Sequence, residues 1–113
     1  MEISFKDKKL KALCEQSSLA QKKLGTQMAK KLRSRLADLK AASVVTDLCA
    51  GRPHPLLGDR EGEFALDLAH PQRLVFVADH KPIPKQDDGS IDWSQVTQVC
   101  IVAIEDYHKR GQS

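Results

Sequence analysis

Gln98-Val99-Cys100-Ile101-Val102-Ala103-Ile104 runs without a break into Glu105-Asp106-Tyr107-His108. Valine and isoleucine dominate the first part, and such a run, coming after the turn-rich residues 87–89, reads as a largely buried central strand. A stiff core strand that delivers acids, a phenol and an imidazole at its end is a good mount for a site. Alternation puts Ile104 and Asp106 on one side of that strand and Glu105 on the other. On this reading Asp106, with Tyr107 and His108 after it, forms one wall of a cleft and Glu105 does not.

Working outward, the hairpin comes next. Residues 63–68 alternate, with Phe64, Leu66 and Leu68 on one face, and Arg73 opens an apolar strand over 73–77. His70-Pro71 supplies the turn, so the two segments read as an antiparallel pair. Arg73 can pair with Asp67 or Glu63 across that hairpin. Before it, residues 51–62 read as a loop rich in anion-suited groups: Arg52, His54, Arg60 and the flexible backbone at Gly58 and Gly62. After it, residues 79–93 form a long polar connection with four acids, a solvated excursion pinned by Trp93 and too polar for core. Connections longer than about 12 residues are uncommon inside a small domain and often functional.

The N-terminal part is helical. Glu2–Phe5 alternates and reads as a short opening strand, and Asp7 precedes a short helix through Leu10, Leu13 and Cys14. From Ser17 and Ser18 an apolar stripe of Ala20, Leu24, Met28, Leu32, Leu36 and Leu39 marks one buried face of one longer helix. Ser43 is a cap candidate for a further turn. Strand, helices and then three strands give an α+β fold, helices packed on one face of a small, mostly antiparallel sheet.

At 113 residues the chain fits a single domain spanning 1–113, large enough for its own core. Its three cysteines are far apart, odd in number and set in apolar, buried contexts, which points to reduced thiols and a cytoplasmic setting. No signal segment is apparent, and no run approaches the roughly 20 apolar residues of a membrane span. Net charge is +3, but residues 1–40 hold 11 Lys+Arg against 4 Asp+Glu, a balance of +7, and the remainder balances at −4. That asymmetry suits a polyanionic partner such as nucleic acid, a ribosome or an acidic protein, read by a helix face carrying Lys30, Lys31 and Arg33. Solvated helix faces would produce the same count.

Metal ligand spacing, thiol catalysis and glycine-rich phosphate loops are all missing from the sequence. Metal-free RNA cleavage remains open. It needs a base for the ribose 2′-OH, cations for the phosphorane charge and an acid for the departing oxygen. His54, Arg60, Arg73 and the 106–108 segment carry groups of these kinds, provided the fold brings them together.

His-Pro-Leu-Leu-Gly-Asp-Arg-Glu-Gly at 54–62, Gln-Arg-Leu-Val-Phe at 72–76 and Glu-Asp-Tyr-His at 105–108 resemble, in that order, the HigB branch of the RelE/ParE-type toxins. The preceding helical region matches in length as well. The resemblance implies two helices against a small antiparallel sheet. It also implies the toxin of a type II toxin-antitoxin system, which cleaves messenger RNA on the ribosome without metal or cofactor and is neutralised by a helix-turn-helix, HigA-like antitoxin. It makes His54, Asp106, Tyr107 and His108 the catalytic set and Arg73 the phosphate cation; the anion-suited Arg60 and Arg52 of the loop are, by their residue type, further candidates for RNA or phosphate contact. Leu57 stands where many relatives have lysine, Gln72 where an aromatic is usual and Phe64 where tryptophan is common. A same-fold toxin acting on DNA gyrase and a non-catalytic RNA- or protein-binding module are the alternatives.

Overall fold

The computed structural model describes residues 1–106; Tyr107 and His108 lie outside the described residues. Glu2–Phe5 forms β1. The Asp7 side chain then accepts a hydrogen bond from the Leu10 amide at 2.8 Å and so caps α1, Lys8–Glu15. Two helices follow where the apolar stripe suggests one, α2 over Ser17–Leu24 and α3 over Thr26–Ala41. The break is at Gly25, whose φ of +87° no helix accommodates and few other residues adopt. The stripe survives the break: Ala20, Met28, Leu32 and Leu39 are buried and Leu24 and Leu36 pack against the core. The cap at Ser43 is reversed. The Asp47 carboxylate accepts from the Ser43 and Val44 amides, each at 3.2 Å, around the 3-10 turn Val45–Asp47.

The segment at 51–62 is more ordered than a loop. It contains β2, His54–Pro55, and the 3-10 turn Gly58–Arg60. β3 is Glu63–Asp67, β4 is Gln72–Ala78 and β5 is Gln98–Asp106. The sheet order is β1-β5-β4-β3-β2, with β1 parallel to β5 and the other three pairings antiparallel. The α+β layering and the hairpin at 63–78 match the sequence reading, and β5 is an interior strand between β1 and β4, with β4 at the centre of the sheet.

The helices cover one face. Phe64, Leu66, Leu68, Leu74, Phe76, Val99 and Ile101 meet Met28, Leu32 and Leu39 there. The other face carries a smaller cluster, Leu56 over Ala65 and Val75 with Val102 and Ala103 at its edge. β5 reaches both faces through a bulge. Val75 stands opposite Ala103 and Phe76 opposite Ile101, which leaves Val102 as the extra residue. The helix-side phase therefore moves from Val99 and Ile101 to Ile104, and Glu105 emerges on the face away from the helices.

Residues 79–93 are mostly exposed and pinned by Trp93, as the sequence suggests, but with more anchors than that one ring. Ile83, Ile91 and Trp93 pack on the core, and Lys85 and Ile91 bridge across the connection. The Trp93 ring lies 4.8 Å from Phe64 and 6.4 Å from Phe76, centroid to centroid. His80 Nε2 accepts the Thr97 amide at 3.0 Å, which ties the connection to the start of β5. Among the described residues, no helix is long and apolar enough to cross a membrane.

Candidate functional site

The arm at 51–62 is laid on the edge of β3 by backbone pairing. Asp67 N donates to Gly51 O at 2.6 Å and Leu56 N to Glu63 O at 2.9 Å, while His54 stands opposite Ala65 and Pro55 opposite Phe64. Gly51 is at φ +82° and Arg52 at φ +48°, an uncommon conformation for a residue with a side chain. The Arg52 side chain grips Asp67, Nε to Oδ2 at 2.9 Å. Its carbonyl accepts from His54 Nδ1 at 2.7 Å. A carbonyl only accepts, so Nδ1 carries the proton in that bond and the neutral ring keeps its lone pair on Nε2. His54 is half-buried and shares the face of Ala65, away from the helices.

Arg73 is on that face as well, and it holds Glu105. Its Nε and Nη2 both reach Glu105 Oε2, at 2.8 and 2.7 Å. Arg60, from the 3-10 turn, reaches the same carboxylate through Nη1 at 2.7 Å and Nη2 at 3.1 Å, and its other edge holds Glu63, Nη2 to Oε1 at 2.7 Å. Arg73 and Glu105 are buried, at 7% and 8% exposure, and among the described residues the other buried positions are apolar. Burial alone would push the Glu105 carboxyl up, but the hydrogen bonds and charges of Arg60 and Arg73 outweigh it and hold the group below the ordinary carboxylate range. Hydrogen bonds to Glu63 and then Glu105 raise Arg60 still further above its already high value. The four side chains form a neutral cluster of two cations and two anions.

The arm, β4 and β5 thus bring together Arg60, Arg73 and Glu105, and His54 shares their face of the sheet. Asp106 is not among them. It stands opposite Gln72 in the register and shares the phase of Ile104, toward the helix side. Lys30, Lys31 and Arg33 are exposed on α3, which packs on the opposite face of the sheet from Arg73 and Glu105. Of the cysteines, Cys49 is exposed, contrary to the apolar burial its neighbours suggested. The Cys14 thiol is pushed up to about 11 by burial, with Glu15 adding to it. Among the described residues no group of metal-binding side chains converges. Beside the arm an open cleft of about 590 Å³ is lined by Pro55, Leu57, Gly62, Lys85, Ile91 and Trp93. Leu57 stands in solvent at 81% exposure.

No protein-family model matches the sequence, and no curated protein matches it. Solved structures do. A YoeB/ParE toxin from Agrobacterium tumefaciens superposes with a TM-score of 0.57 at 13% identity, covering 94% of this chain and 98% of that one. YoeB from Staphylococcus aureus, solved as a dimer, gives 0.56 at 16% identity over 93% of this chain and 94% of the other. The YoeB-YefM complex from the same organism gives 0.57 at 16%, with the same coverage. The chain has the fold of the YoeB/ParE toxins.

Within that toxin fold, the residue that sequence reasoning left out is Glu105. Alternation turns it away from Asp106, as the register shows, and onto the face that carries Arg60 and Arg73. One signal pointed to it: Arg73 is continuous with the apolar run 74–78, and a guanidinium buried with such a strand requires an acidic partner.

Proposed function

We propose that this chain is the toxin of a type II toxin-antitoxin pair, a ribosome-dependent endoribonuclease that cleaves messenger RNA by metal-free acid-base catalysis in the cytoplasm. The observation that carries the reading is the likeness in fold, over nearly the whole chain, to YoeB toxins, one of them solved as a YoeB-YefM complex. The three ordered motifs at 54–62, 72–76 and 105–108 support it. In this reading His54 works through Nε2, the nitrogen left available by the Nδ1 bond to Arg52, taking or giving a proton. His108 is its partner in acid-base work, Asp106 orients a histidine and Tyr107 supplies a proton or a stacking contact to a base. Arg73, with Arg60 and Arg52 beside it, is the cation for the phosphate. The partner that silences the protein is a small helix-turn-helix antitoxin of the HigA type.

The test is induction of the chain alone in bacteria, with growth and transcript 5′ ends followed together. Wild type is expected to arrest growth and to leave new transcript ends. His54→Ala and His108→Ala are each expected to relieve arrest while the protein stays folded. Normal growth with intact transcripts, given soluble wild-type protein, would refute the reading.

One observation favours a second reading. Arg60 and Arg73 hold Glu105 and Glu63, whereas Lys30, Lys31 and Arg33 stand exposed on the α3 face. A non-catalytic module docking RNA or an acidic protein through Lys30, Lys31 and Arg33 would lose binding on charge reversal there and would be indifferent to His108→Ala.

A further inference from the structure

The grip on Glu105 is more elaborate than a fold-stabilising ion pair requires. One planar anion receives four N–H contacts from two guanidinium groups: Arg73 Nε and Nη2 at 2.8 and 2.7 Å, and Arg60 Nη1 and Nη2 at 2.7 and 3.1 Å. The two cations arrive from separate elements, Arg60 from the arm and Arg73 from β4, and converge on one point. Paired guanidinium forks around a shared centre are the arrangement that suits a phosphate-type oxyanion, because each fork matches two of its oxygens. Here the chain supplies the anion itself. The bulge at Val102 is what turns Glu105 into that position.

We propose that Arg60 and Arg73 form a binding site for a phosphate-class oxyanion and that Glu105 is its resident internal ligand, keeping an external phosphate out until that carboxylate is displaced or neutralised. The proposal builds on the reading of Arg73 as a phosphate cation and adds what occupies the cation in the resting protein. Two features fit it. Arg60 holds Glu63 through its other edge, Nη2 to Oε1 at 2.7 Å, so the arm keeps an anchor on β3 when Glu105 lets go. Loss of the Glu105 charge also removes the anion on which two guanidinium groups converge in a water-poor position, where an incoming anion is held far more strongly than at an open surface. A buried ion cluster is a poor way to gain stability compared with apolar packing of the same volume. An anion site explains why one is kept here.

The experiment compares wild type, Glu105→Gln and Glu61→Gln. Glu61 is exposed on the same arm, so its variant changes the net charge equally without touching the cluster. Each protein is melted in inorganic phosphate and in chloride at matched ionic strength. Phosphate is expected to stabilise Glu105→Gln selectively, with an apparent affinity at least about tenfold above that of the other two proteins. In wild type labelled at arginine, the Nε–H resonances of Arg60 and Arg73 are expected to stay in place over the phosphate range that saturates the variant. Equal stabilisation of all three proteins would overturn the proposal. So would movement of those resonances in wild type, or a Glu105→Gln protein that stays unfolded in phosphate, since an external anion in the cradle should restore it. No arm of the experiment reads RNA cleavage or growth, so its outcome is separate from that of the toxin reading.

Discussion

Gly51 is the joint at which the arm, α3 and β3 meet, and Gly51→Ala isolates what that joint contributes. A Cβ placed there lies 2.7 Å from Arg35 Nε, 2.9 Å from Arg35 Cδ and 3.1 Å from the Asp67 carbonyl oxygen. The left-handed backbone at φ +82° costs an alanine about 1–2 kcal/mol by itself, offset by about 0.4–1 kcal/mol from the stiffer unfolded chain. The crowding adds to this. Arg35 must move, giving up its bond to the Asp67 carbonyl at 3.3 Å and straining its bridge to Asp38 at 2.8 Å. The Asp67 carbonyl, fixed at the end of β3, must give as well. Those losses come to about 1–2 kcal/mol, for a total near 2–3 kcal/mol.

The control is Gly89→Ala. Gly89 has φ +89° with nothing within 4 Å of its virtual Cβ, so the backbone penalty recurs without the crowding and the expected loss is about 1 kcal/mol. Urea unfolding followed by Trp93 fluorescence reads both. With a slope of about 1–3 kcal/mol per molar for a small protein, the two midpoints should differ by about 1 M at unchanged slope. Equal midpoints would refute the account of Gly51 as a sterically closed joint. The acid-base role proposed for His54 adds a second readout, because on that proposal a shifted arm is expected to weaken growth arrest in Gly51→Ala and to leave it intact in Gly89→Ala.

Trp93→Ala removes the ring that packs against Phe64 and Phe76 at 4.8 and 6.4 Å; a loss of about 2–3 kcal/mol is expected for this half-buried tryptophan. Amide exchange is expected to accelerate across 79–93 before it does in β4, and uniform acceleration would argue against a separately pinned segment. Glu105 gives a pH test with a definite sign. Its folded carboxyl is held below the ordinary value of 4.5, so its contribution is fully present above the unfolded value and is lost as pH falls through the folded one. The stability gap between wild type and Glu105→Gln should therefore be level from neutral pH down to about pH 5 and shrink below that. A gap that widens toward acid in urea titrations would contradict the ion cluster.

The parts of this fold that are visible in the sequence are those set by neighbours along the chain. β5 follows from a dense β-branched run and the hairpin from alternation either side of His70-Pro71. The helical layer follows from the stripe that starts at Ala20. The helix break at Gly25 escaped because Leu24 and Met28 keep a spacing of four across it, and apolar period alone does not register a residue at positive φ. β2 escaped because a two-residue strand has no period to detect. Trp93 shows as the pin of 79–93, but the packing of Ile83 and Ile91 was masked by the prolines and acids that surround them, since mean polarity conceals single anchoring side chains.

The site was legible in its residue types and not in its pairing. His54, Arg60 and Arg73 do gather on one face, yet their charge state depends on Glu105, which lies 45 residues from Arg60 and 32 from Arg73. Separations of that kind leave no periodic trace. The bulge at Val102 adds a second barrier, because the phase of a strand is its most useful sequence signal and a single inserted residue reverses it. Val99 and Ile101 against Ile104 was the available clue: two odd core positions followed by an even one, which continuous alternation does not permit. Taken with the buried Arg73, that slip in phase places the carboxylate of Glu105 under the guanidinium. A strand end that reads as an exposed acid is in the folded chain the anion around which two arginines are arranged.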